Sequence, residues 1–268
     1  MMMPVPTMLA AMVQAQVARP RDLSSLRLLG HAASPISTEL LRQAAATFPG
    51  VDLAEFYGAT ETTSIVTCQH HEELMVESPL VRSCGQPVAG VSVRIIDGGG
   101  TEADFGVVGE VIVQSRAVMM GYWQNPEATA HALKGGWFHT GDLGYVDGES
   151  NLFLVDRAKD MIVTGGENVY SIEVENALAS HPDVIEAAVF GIPHERWGEA
   201  VHAVVVSANS SSSLADELIA HCRGLIAGFK VPKSVDIQTE PLPKSGPGKV
   251  LKRSLRDKFW EGQGRQIV

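Results

Sequence analysis

The sequence contains few cysteines, few aromatic residues and no long apolar run. Its three cysteines, Cys68, Cys84 and Cys222, lie far apart among 268 residues, which fits neither a disulfide framework nor a thiolate metal site. A reducing compartment, the cytoplasm, is therefore expected. Because no stretch approaches the ~18 to 20 consecutive apolar residues of a membrane span, we also expect no transmembrane segment.

Signals for export and for simple hydrolysis are missing as well. The first residues are apolar, but no Lys or Arg precedes the apolar run, and Gln14 and Gln16 interrupt it. This pattern disfavours a secretory signal peptide. The motif Gly-x-Ser-x-Gly does not occur, so a serine hydrolase of the nucleophile-elbow kind has no support.

Positive charge is scarce except near the end of the chain. The 31 acidic and 21 basic residues give a net charge of −10, which is the wrong sign for wrapping a nucleic acid. Residues 229–268 differ, because they hold nine Lys or Arg and four Asp or Glu. Nucleic acid is thus an unsuitable partner, whereas a local anionic ligand fits the basic segment.

The composition is that of an ordinary globular protein, with 45% hydrophobic and 19% charged residues and a length for roughly one to two domains. Apolar spacing predicts helices over residues 9–18 and 38–48 and buried strands over residues 25–33 and 51–58. Residues 85–155 carry short strand patterns and turn signals, which predict an all-β segment with one short helix after Pro126.

From residue 160 onward the pattern predicts a small α+β domain of about 110 residues. One helix begins at about Ser171, and a second carries Leu214, Leu218, Cys222 and Leu225 on one stripe. Strands are predicted over residues 183–190, 200–206 and 233–238, and a basic helix closes the chain. We therefore divide the sequence into residues 1–155, a hinge at residues 156–160, and residues 161–268.

The segment between the two parts, "DRAKD" at 156–160, has two interpretations. A charged crossing with few apolar residues is where chains hinge, because little packing opposes rotation there. The same pattern is equally typical of a plain solvated turn.

Two adjacent glycines, Gly165 and Gly166, interrupt a strand pattern just before a predicted helix. Glycine permits positive φ and a close approach of another molecule to the backbone. The alternative is a strand bulge followed by a helix cap, in which Asn168 and Ser171 would satisfy the first helix amides.

Four further stretches give this glycine pair a context. They are "EFYGATET" at 55–62, "WFHTGDLG" at 137–144, "RWGEAV" at 196–201 and "PLPKSGPGKVLKRSL" at 241–255. In this order and at these separations the five stretches resemble the AMP-forming acyl-CoA synthetases, the superfamily that includes luciferases and peptide-synthetase adenylation domains. The resemblance covers essentially the whole chain.

The resemblance implies a fold class and a reaction. The fold would be α/β plus α+β, the C-terminal part of an adenylate-forming large domain followed by a small α+β lid domain. The family joins a carboxylate to ATP, giving an acyl adenylate and pyrophosphate, and then passes the acyl group to coenzyme A. The expected substrates are a fatty acid, ATP and coenzyme A, with Mg²⁺ accompanying ATP.

The family also implies site residues for adenylation. Tyr57 would offer a flat face to adenine, and Asp142 would accept hydrogen bonds from the ribose hydroxyls. Thr60 would meet phosphate, Glu61 would hold Mg²⁺, and Lys249 would stabilise the charged transition state. The full nucleotide-binding set is Ala32, Ala33, Ser34, Tyr57, Gly58, Asp142 and Arg157.

Other residues correspond to the second half of the reaction. In the family the small domain rotates after adenylation, and Lys159 matches the hinge position. Gly165 and Gly166 would then lie against the pantetheine arm of coenzyme A, where a Cβ would obstruct it. Trp197, Lys230 and Lys233 are candidates for the nucleotide end of coenzyme A.

The sequence departs from the family pattern in two places. Ser171 stands where many members have proline, and Ser also suits a helix start. The Ser/Thr/Gly-rich phosphate loop, with the first half of the large domain, does not occur in these 268 residues. We therefore expect a fragment with exposed apolar faces that adenylates carboxylates poorly by itself.

Three alternatives remain open. The chain could serve a carrier protein instead of coenzyme A. It could also be a non-catalytic fragment that binds adenylate or coenzyme A, or one that needs a complementing chain or a homo-oligomer. Finally, "CQHHEEL" at 68–74 invites a metal site, although its spacing differs from that of a helical zinc site and favours a polar surface loop.

Overall fold

The computed structural model describes residues 1–32, 36, 38–71, 78–209, 211–246 and 248–261. Contacts divide the chain into two compact units, Met1–Leu154 (unit 1) and Val155–Val268 (unit 2). Within the described ranges, no helix combines the length and the apolar character needed to cross a membrane.

The first part of unit 1, as far as the structure describes it, is a four-stranded sheet with two α-helices. Its elements are α1 (Pro6–Ala18), β1 (Leu28–Ala32), α2 (Thr38–Thr47), β2 (Asp52–Ala59), β3 (Ser64–His71) and β4 (Gln86–Pro87). The strand order is β1-β2-β3-β4, with β1 and β2 parallel and the other pairs antiparallel. Leu9 and Val13 of α1 pack with Leu29, Ala44 and Leu53 to form its core.

The second part of unit 1 is an antiparallel sheet with one short helix. Its elements are β5 (Val91–Ile96), β6 (Gly109–Ser115), α3 (Pro126–Ala132), β7 (Phe138–Val146) and β8 (Leu152–Arg157), in the strand order β5-β6-β7-β8, and the last three residues of β8 belong to unit 2. The Asn125 side chain caps α3 by accepting from Ala128 N at 3.1 Å. The predicted β-rich segment and its helix after Pro126 are thus confirmed.

In its described residues, unit 2 is a five-stranded sheet with three α-helices. Its elements are β9 (Ile162–Thr164), β10 (Glu167–Val169), α4 (Ser171–Ala179), β11 (Glu186–His194), β12 (Gly198–Val206), α5 (Leu214–Arg223), β13 (Ser234–Gln238) and α6 (Lys252–Trp260). The strand order is β10-β9-β12-β11, and β13 pairs in parallel with β12. One core cluster joins Ile162 and Val169 of the hairpin to Leu178 of α4, Ala203 of β12 and Leu218 of α5.

Two sequence-based expectations, and one of the two alternatives for the glycine pair, are wrong in detail. Leu225 is 56% exposed and not part of the apolar stripe of α5, because the helix ends before Gly224. Residues 68–71 belong to strand β3 rather than to a surface loop, and residues 72–74 of that stretch lie outside the described residues. Gly165 and Gly166 form the turn of the β9–β10 hairpin rather than a bulge.

Several large apolar side chains of unit 1 are exposed, while the exposure of whole apolar faces stays a prediction. Met8 and Val17 of α1 are 58% and 69% exposed. Met120 and Trp123, in the segment before α3, are 100% and 89% exposed.

Candidate functional site

A hydrogen bond in unit 1 joins two of the predicted nucleotide residues. Tyr57 Oη, on β2, donates to Asp142 Oδ2, on β7, at 2.8 Å. Burial, followed by the charge of Asp142, raises the pKa of Tyr57 far above its ordinary value. The phenol therefore stays protonated and remains a donor that orients the Asp142 carboxylate.

The backbone around Asp142 is held by polar side chains. Asp142 N donates to Thr140 Oγ1 at 3.0 Å, and that hydroxyl donates to the β6 backbone at 2.7 Å. Gly141, with a φ of +69°, donates its amide to Glu110 Oε1 at 3.1 Å. These bonds fix the direction in which the Asp142 side chain projects from β7. Sequence reasoning missed Glu110 and Thr140, although Thr140 lies inside the quoted motif.

A second carboxyl group lies on the same strand as Tyr57. Glu55 precedes Tyr57 by two residues on β2, and its Oε1 lies 3.7 Å from Cys84 Sγ. Burial raises the pKa of Glu55 to about 7. Sequence reasoning missed this residue, and the signal for it was an acidic residue within a strand of mostly apolar residues.

Glu61 lies in the short 3₁₀ turn that follows β2, after Thr60, which is exposed. Tyr122 Oη donates to Glu61 Oε1 at 3.0 Å, and Met119 N donates to Glu61 O at 2.7 Å. These contacts fix the turn to the segment before α3. Sequence reasoning missed the role of Tyr122.

The metal-ligating side chains around Glu61 can be compared with the ligands that Mg²⁺ requires. Among the described residues no group of three or more His, Cys, Asp or Glu side chains could hold a metal ion. Mg²⁺ accompanying a nucleotide needs only one or two carboxylates, because phosphate oxygens and water supply the other ligands. The half-buried Glu61 carboxylate fits that requirement. His70, from the "CQHHEEL" stretch, instead pairs with Asp52 through Nδ1 at 2.9 Å.

The remaining nucleotide candidates of unit 1 are placed only in part. Ala32 ends β1 and stands opposite Phe56 of β2. Gly58 lies on β2 where the register with β3 shifts. Ala33 and Ser34 lie outside the described residues.

In unit 2, Lys249 lies on a loop whose backbone is tied down while its side chain is exposed. Ser245 N donates to Lys249 O at 2.8 Å, and Lys249 N donates to Ser245 Oγ at 3.2 Å. Leu251 N donates to Pro243 O at 2.8 Å and closes the loop. The loop therefore holds the start of a long cationic side chain and leaves its end in solvent.

The glycine hairpin, β9 and β10 with the turn between them, is exposed at its turn. Gly165 and Gly166 have φ values of +61° and +90°. A Cβ at Gly166 would meet no described atom within 4 Å, and one at Gly165 would lie 3.6 Å from Trp197 Cδ1. The turn thus requires glycine for its backbone conformation and not for internal space.

Trp197 lies beside this turn. Its carbonyl accepts from Gly165 N at 2.9 Å, and its ring stacks on His194 with centroids 4.2 Å apart. Lys233 Nζ lies 5.3 Å from the centre of the same ring. Gly165, Trp197 and Lys233 are therefore neighbours.

Lys230, the third basic candidate of this group, has a different environment. It forms an ion pair with both oxygens of Glu173, at 2.7 and 2.8 Å. The charge of Lys230 is therefore balanced within unit 2.

The predicted hinge segment forms a hydrogen-bonded turn. Arg157 is exposed, and its carbonyl accepts from Asp160 N at 2.9 Å. Lys159 is also exposed, and its carbonyl accepts from Arg256 Nη1 at 3.1 Å. This geometry is compatible with both interpretations of the segment, so the hinge stays a prediction.

The predicted cap of α4 is wrong. The amide of Ser171 donates to the buried carboxylate of Asp156 and not to a neighbouring side chain. Asn168 is exposed on β10. Sequence reasoning missed Asp156 as a partner because it lies 15 residues earlier in the chain.

Comparison with known proteins finds two matching families and several relatives. The family model described as AMP-binding enzyme matches residues 1–123, and the one described as AMP-binding enzyme C-terminal domain matches residues 173–249. A fatty acid–[acyl-carrier-protein] ligase of Streptomyces coeruleorubidus is 40% identical over 98% of this chain and 50% of its own length. A long-chain-fatty-acid–CoA ligase of Yersinia pestis is 42% identical over 88% of this chain and 41% of its own length.

Comparison with solved structures also finds relatives that match nearly the whole chain. ATP-bound MatB from Rhodopseudomonas palustris is similar with a TM-score of 0.85 and 32% identity, over 98% of this chain and 51% of that one. The o-succinylbenzoate CoA synthetase of Bacillus subtilis, in complex with its acyl-adenylate intermediate, gives a TM-score of 0.83 and 31% identity, over 99% and 51%. The predicted fold class is thereby confirmed. The chain spans about half the length of the relatives it matches.

Proposed function

Because this chain belongs to the AMP-binding enzymes, we propose that it carries the adenylate-binding and thioester-forming parts of an ATP-dependent acyl-CoA synthetase. The observation that supports this most directly is the hydrogen bond between Tyr57 and Asp142. It brings together a ring suited to adenine and a carboxylate suited to ribose hydroxyls. Two motifs far apart in the sequence thus meet at one place in unit 1.

In this proposal the nucleotide lies along the end of β2. Tyr57 packs against the base, Gly58 and Ala32 leave room beside it, and Asp142 accepts from the ribose. Arg157 is a further nucleotide contact. Because the Tyr57 hydroxyl stays a donor, the Asp142 carboxylate is presented in one orientation before the ligand arrives.

The phosphate end of ATP lies at the turn after β2. The Thr60 hydroxyl donates to phosphate oxygens, and Glu61, held by Tyr122, is the carboxylate that would bind Mg²⁺. When bound, the ion neutralises charge on the phosphates. Lys249 adds a compact cation near the reacting carboxylate and α-phosphate.

Thioester formation uses other residues of unit 2. The exposed backbone at Gly165 and Gly166 accommodates the pantetheine arm, and Trp197 with Lys233 contacts the nucleotide end of coenzyme A. Lys230 is the weaker candidate, since its charge is already balanced by Glu173.

The two half-reactions are separated by a rotation of unit 2. Residues 156–160 act as the hinge, with Lys159 at the pivot. Lys249 then serves the first step and the glycine hairpin serves the second.

The acid substrate is proposed to be a fatty acid. Support comes from the relatives, which include a fatty acid–[acyl-carrier-protein] ligase and a long-chain-fatty-acid–CoA ligase. The first of these also favours a second acceptor, the thiol of a carrier protein, as an alternative to coenzyme A. The three cysteines are free, which suits a cytoplasmic enzyme.

The test is thioester formation from a synthetic acyl adenylate by the purified chain. We expect thioester to form with coenzyme A or a carrier protein, and adenylation from fatty acid and ATP to be slow, because the chain spans half the length of its relatives. Adenylate binding without thioester would favour a non-catalytic fragment or one that needs a complementing chain. If the chain binds neither AMP, acyl adenylate nor coenzyme A, the proposal is wrong.

A further inference from the structure

A buried ionic cluster in unit 2 joins three separate segments of the chain. Its members are Asp156, Ser171, Glu175 and Lys252, which we call the Lys252 cluster. Lys252 Nζ donates to Ser171 Oγ at 2.6 Å and lies 2.7 Å from Glu175 Oε1. Ser171 donates both its amide and its hydroxyl to Asp156, the latter at 3.0 Å.

The cluster is withdrawn from solvent. Asp156 is 4% exposed and Ser171 is fully buried, while the side chains of Glu175 and Lys252 are 21% and 15% exposed. Burial raises the pKa values of Asp156 and Glu175, and the charge of Lys252 opposes that rise in both. Lys252 is thus the cation that compensates two partly desolvated carboxylates.

Three members of the Lys252 cluster lie in or beside segments for which we propose roles above. Asp156 begins the predicted hinge. Ser171 begins α4, two residues after the end of the glycine hairpin. Lys252 begins α6, three residues after Lys249 and one residue after Leu251, whose amide closes the lysine loop.

A second bond from α6 reaches the same hinge segment. Arg256 lies one turn after Lys252, and its Nη1 donates to Lys159 O at 3.1 Å. Helix α6 therefore holds two residues of the hinge segment, Asp156 through Ser171 and Lys159 directly. The lysine loop, the glycine hairpin and the hinge are fixed to one another at these points.

We propose that Lys252 is a positioning residue that holds the Lys249 loop and the glycine hairpin in a fixed arrangement, so that the two are displaced together. The mechanical part of this inference rests on the geometry of unit 2 alone. Its consequence for catalysis rests on the proposed function, because it concerns the two half-reactions. A cation that only contributed to overall stability would speed the exchange of core amides, which open by global unfolding, at least as much as that of the loop and hairpin amides.

The first measurement is hydrogen exchange of backbone amides in the whole chain. In Lys252→Met, we expect the backbone amides of residues 162–170, 244–246 and 248–251 to exchange at least about ten-fold faster relative to those of β11 and β12. Lys252→Arg, which keeps the charge, should restore most of the protection. Lys258→Met, a change of an exposed lysine on the same helix, should leave both segments unaltered.

A charge-conserving variant keeps the test valid if Lys252→Met fails to fold. Lys252→Met combined with Glu175→Gln removes one cation and one carboxylate, so the net charge of the cluster is unchanged. It still removes the ion pair between Lys252 of α6 and Glu175 of α4. Faster exchange limited to the two segments supports the inference, whereas uniform change throughout unit 2, or no change, overturns it.

The second measurement separates this inference from the proposed function. Thioester formation from a synthetic acyl adenylate is measured in the wild-type chain and in Lys252→Met. We expect kcat to fall about ten-fold or more while KM for coenzyme A changes little, because positioning and not binding is altered. If the wild type forms no thioester while the segments loosen together, the proposed function fails and the positioning role stands. If thioester forms but exchange changes uniformly, the positioning role fails.

Discussion

Tyr57 Oη donates a 2.8 Å hydrogen bond to Asp142 Oδ2, across 85 positions of sequence. The bond joins the two sheets of unit 1 at the carboxyl end of β2. Burial and the Asp142 charge raise the pKa of Tyr57 above its ordinary value, which is itself basic. The Asp142 carboxylate is therefore oriented by a partner that stays protonated at neutral pH and well above it.

Nucleotide binding should depend on this pair as a unit. Tyr57→Phe keeps the ring but loses the donor, so we expect AMP affinity to fall about ten-fold, the size of one hydrogen bond to a charged group. Asp142→Ala, which removes the acceptor of this bond, should weaken AMP binding more. The double variant should bind AMP about as weakly as Asp142→Ala alone, since the bond is already lost.

Calorimetric titration with AMP measures these affinities. Tyr145→Phe is the matched control, because Tyr145 is a partly buried tyrosine on the same strand as Asp142, stacked on Phe153. It should bind AMP like the wild type. Additive losses in the double variant would show that the two side chains act independently.

Glu55 should make the stability of the chain depend on pH. Its pKa is raised from 4.5 to about 7, so the folded chain keeps this proton up to a higher pH than the unfolded chain does. Stability should therefore fall as pH rises from about 4.5 to about 7, by up to roughly 3 kcal/mol at 1.4 kcal/mol per pH unit. Glu55→Gln should lack this fall.

Carbon NMR of the Glu55 carboxyl group, together with urea unfolding at a series of pH values, checks this behaviour. The signal assigned to Glu55 should titrate near neutral pH and be absent in Glu55→Gln. A titration at the ordinary pKa of a glutamate, or equal pH dependence of unfolding in both proteins, would contradict the assignment.

The glycine hairpin should tolerate a methyl group in folding but not in thioester formation. Gly166→Ala places a Cβ in open space at a φ of +90°, so its cost to folding should be limited to backbone strain of about 1 kcal/mol. Thioester formation should fall much further, because the Cβ would obstruct the pantetheine arm. The measurement is the single-turnover rate from a synthetic acyl adenylate.

Gly100→Ala provides the control for backbone strain. Gly100 has a φ of +81°, and a Cβ there would also meet no described atom within 4 Å. It should lose similar stability and retain thioester formation. Equal losses of rate in both variants would remove the reason for placing coenzyme A at the hairpin.

Lys249 should matter for adenylation alone. Lys249→Ala should slow adenylation by at least about 100-fold, the usual effect of removing one preorganised charge-stabilising group, and spare thioester formation from supplied adenylate. Because the chain spans half the length of its relatives, adenylation is measured in a chain extended with the first half of a family member. Lys258→Ala is the control, and equal loss of both half-reactions in Lys249→Ala would refute the role.

Local sequence patterns predict most elements of the fold. The helix predicted from about Ser171 begins at that residue, and the segment after Pro126 is helical. The start of α3 is set by its neighbours Asn125 and Pro126, which a sequence displays, whereas the amide at the start of α4 is held by the distant Asp156. The end of α5 is misplaced by sequence reasoning, because Leu225 continues the apolar spacing beyond Gly224, where the helix is capped.

Polar residues in buried places are harder to predict. Residues 68–71 are polar enough to suggest a loop, yet they lie on β3, where Thr67 and Gln69 are buried and hydrogen-bonded to backbone carbonyls. Burial of polar groups depends on partners that lie elsewhere in the chain.

The same limit applies to the candidate site. Family motifs name Tyr57, Asp142 and Lys249, but they do not reveal the residues that hold them. Glu110 anchors the backbone beside Asp142, and Tyr122 anchors the Glu61 carboxylate. These contacts arise from strand pairing and loop packing, which follow from the folded chain and not from local patterns.

The most direct test of the central claim is calorimetric titration of the purified chain with a hydrolysis-resistant acyl-adenylate analogue. We expect saturable binding at one site, weakened about 30-fold or more in Asp142→Ala, which removes the ribose acceptor and the partner of Tyr57. Binding should be unchanged in Tyr145→Phe. Absence of binding by the wild-type chain, or equal binding by Asp142→Ala, would contradict the claim.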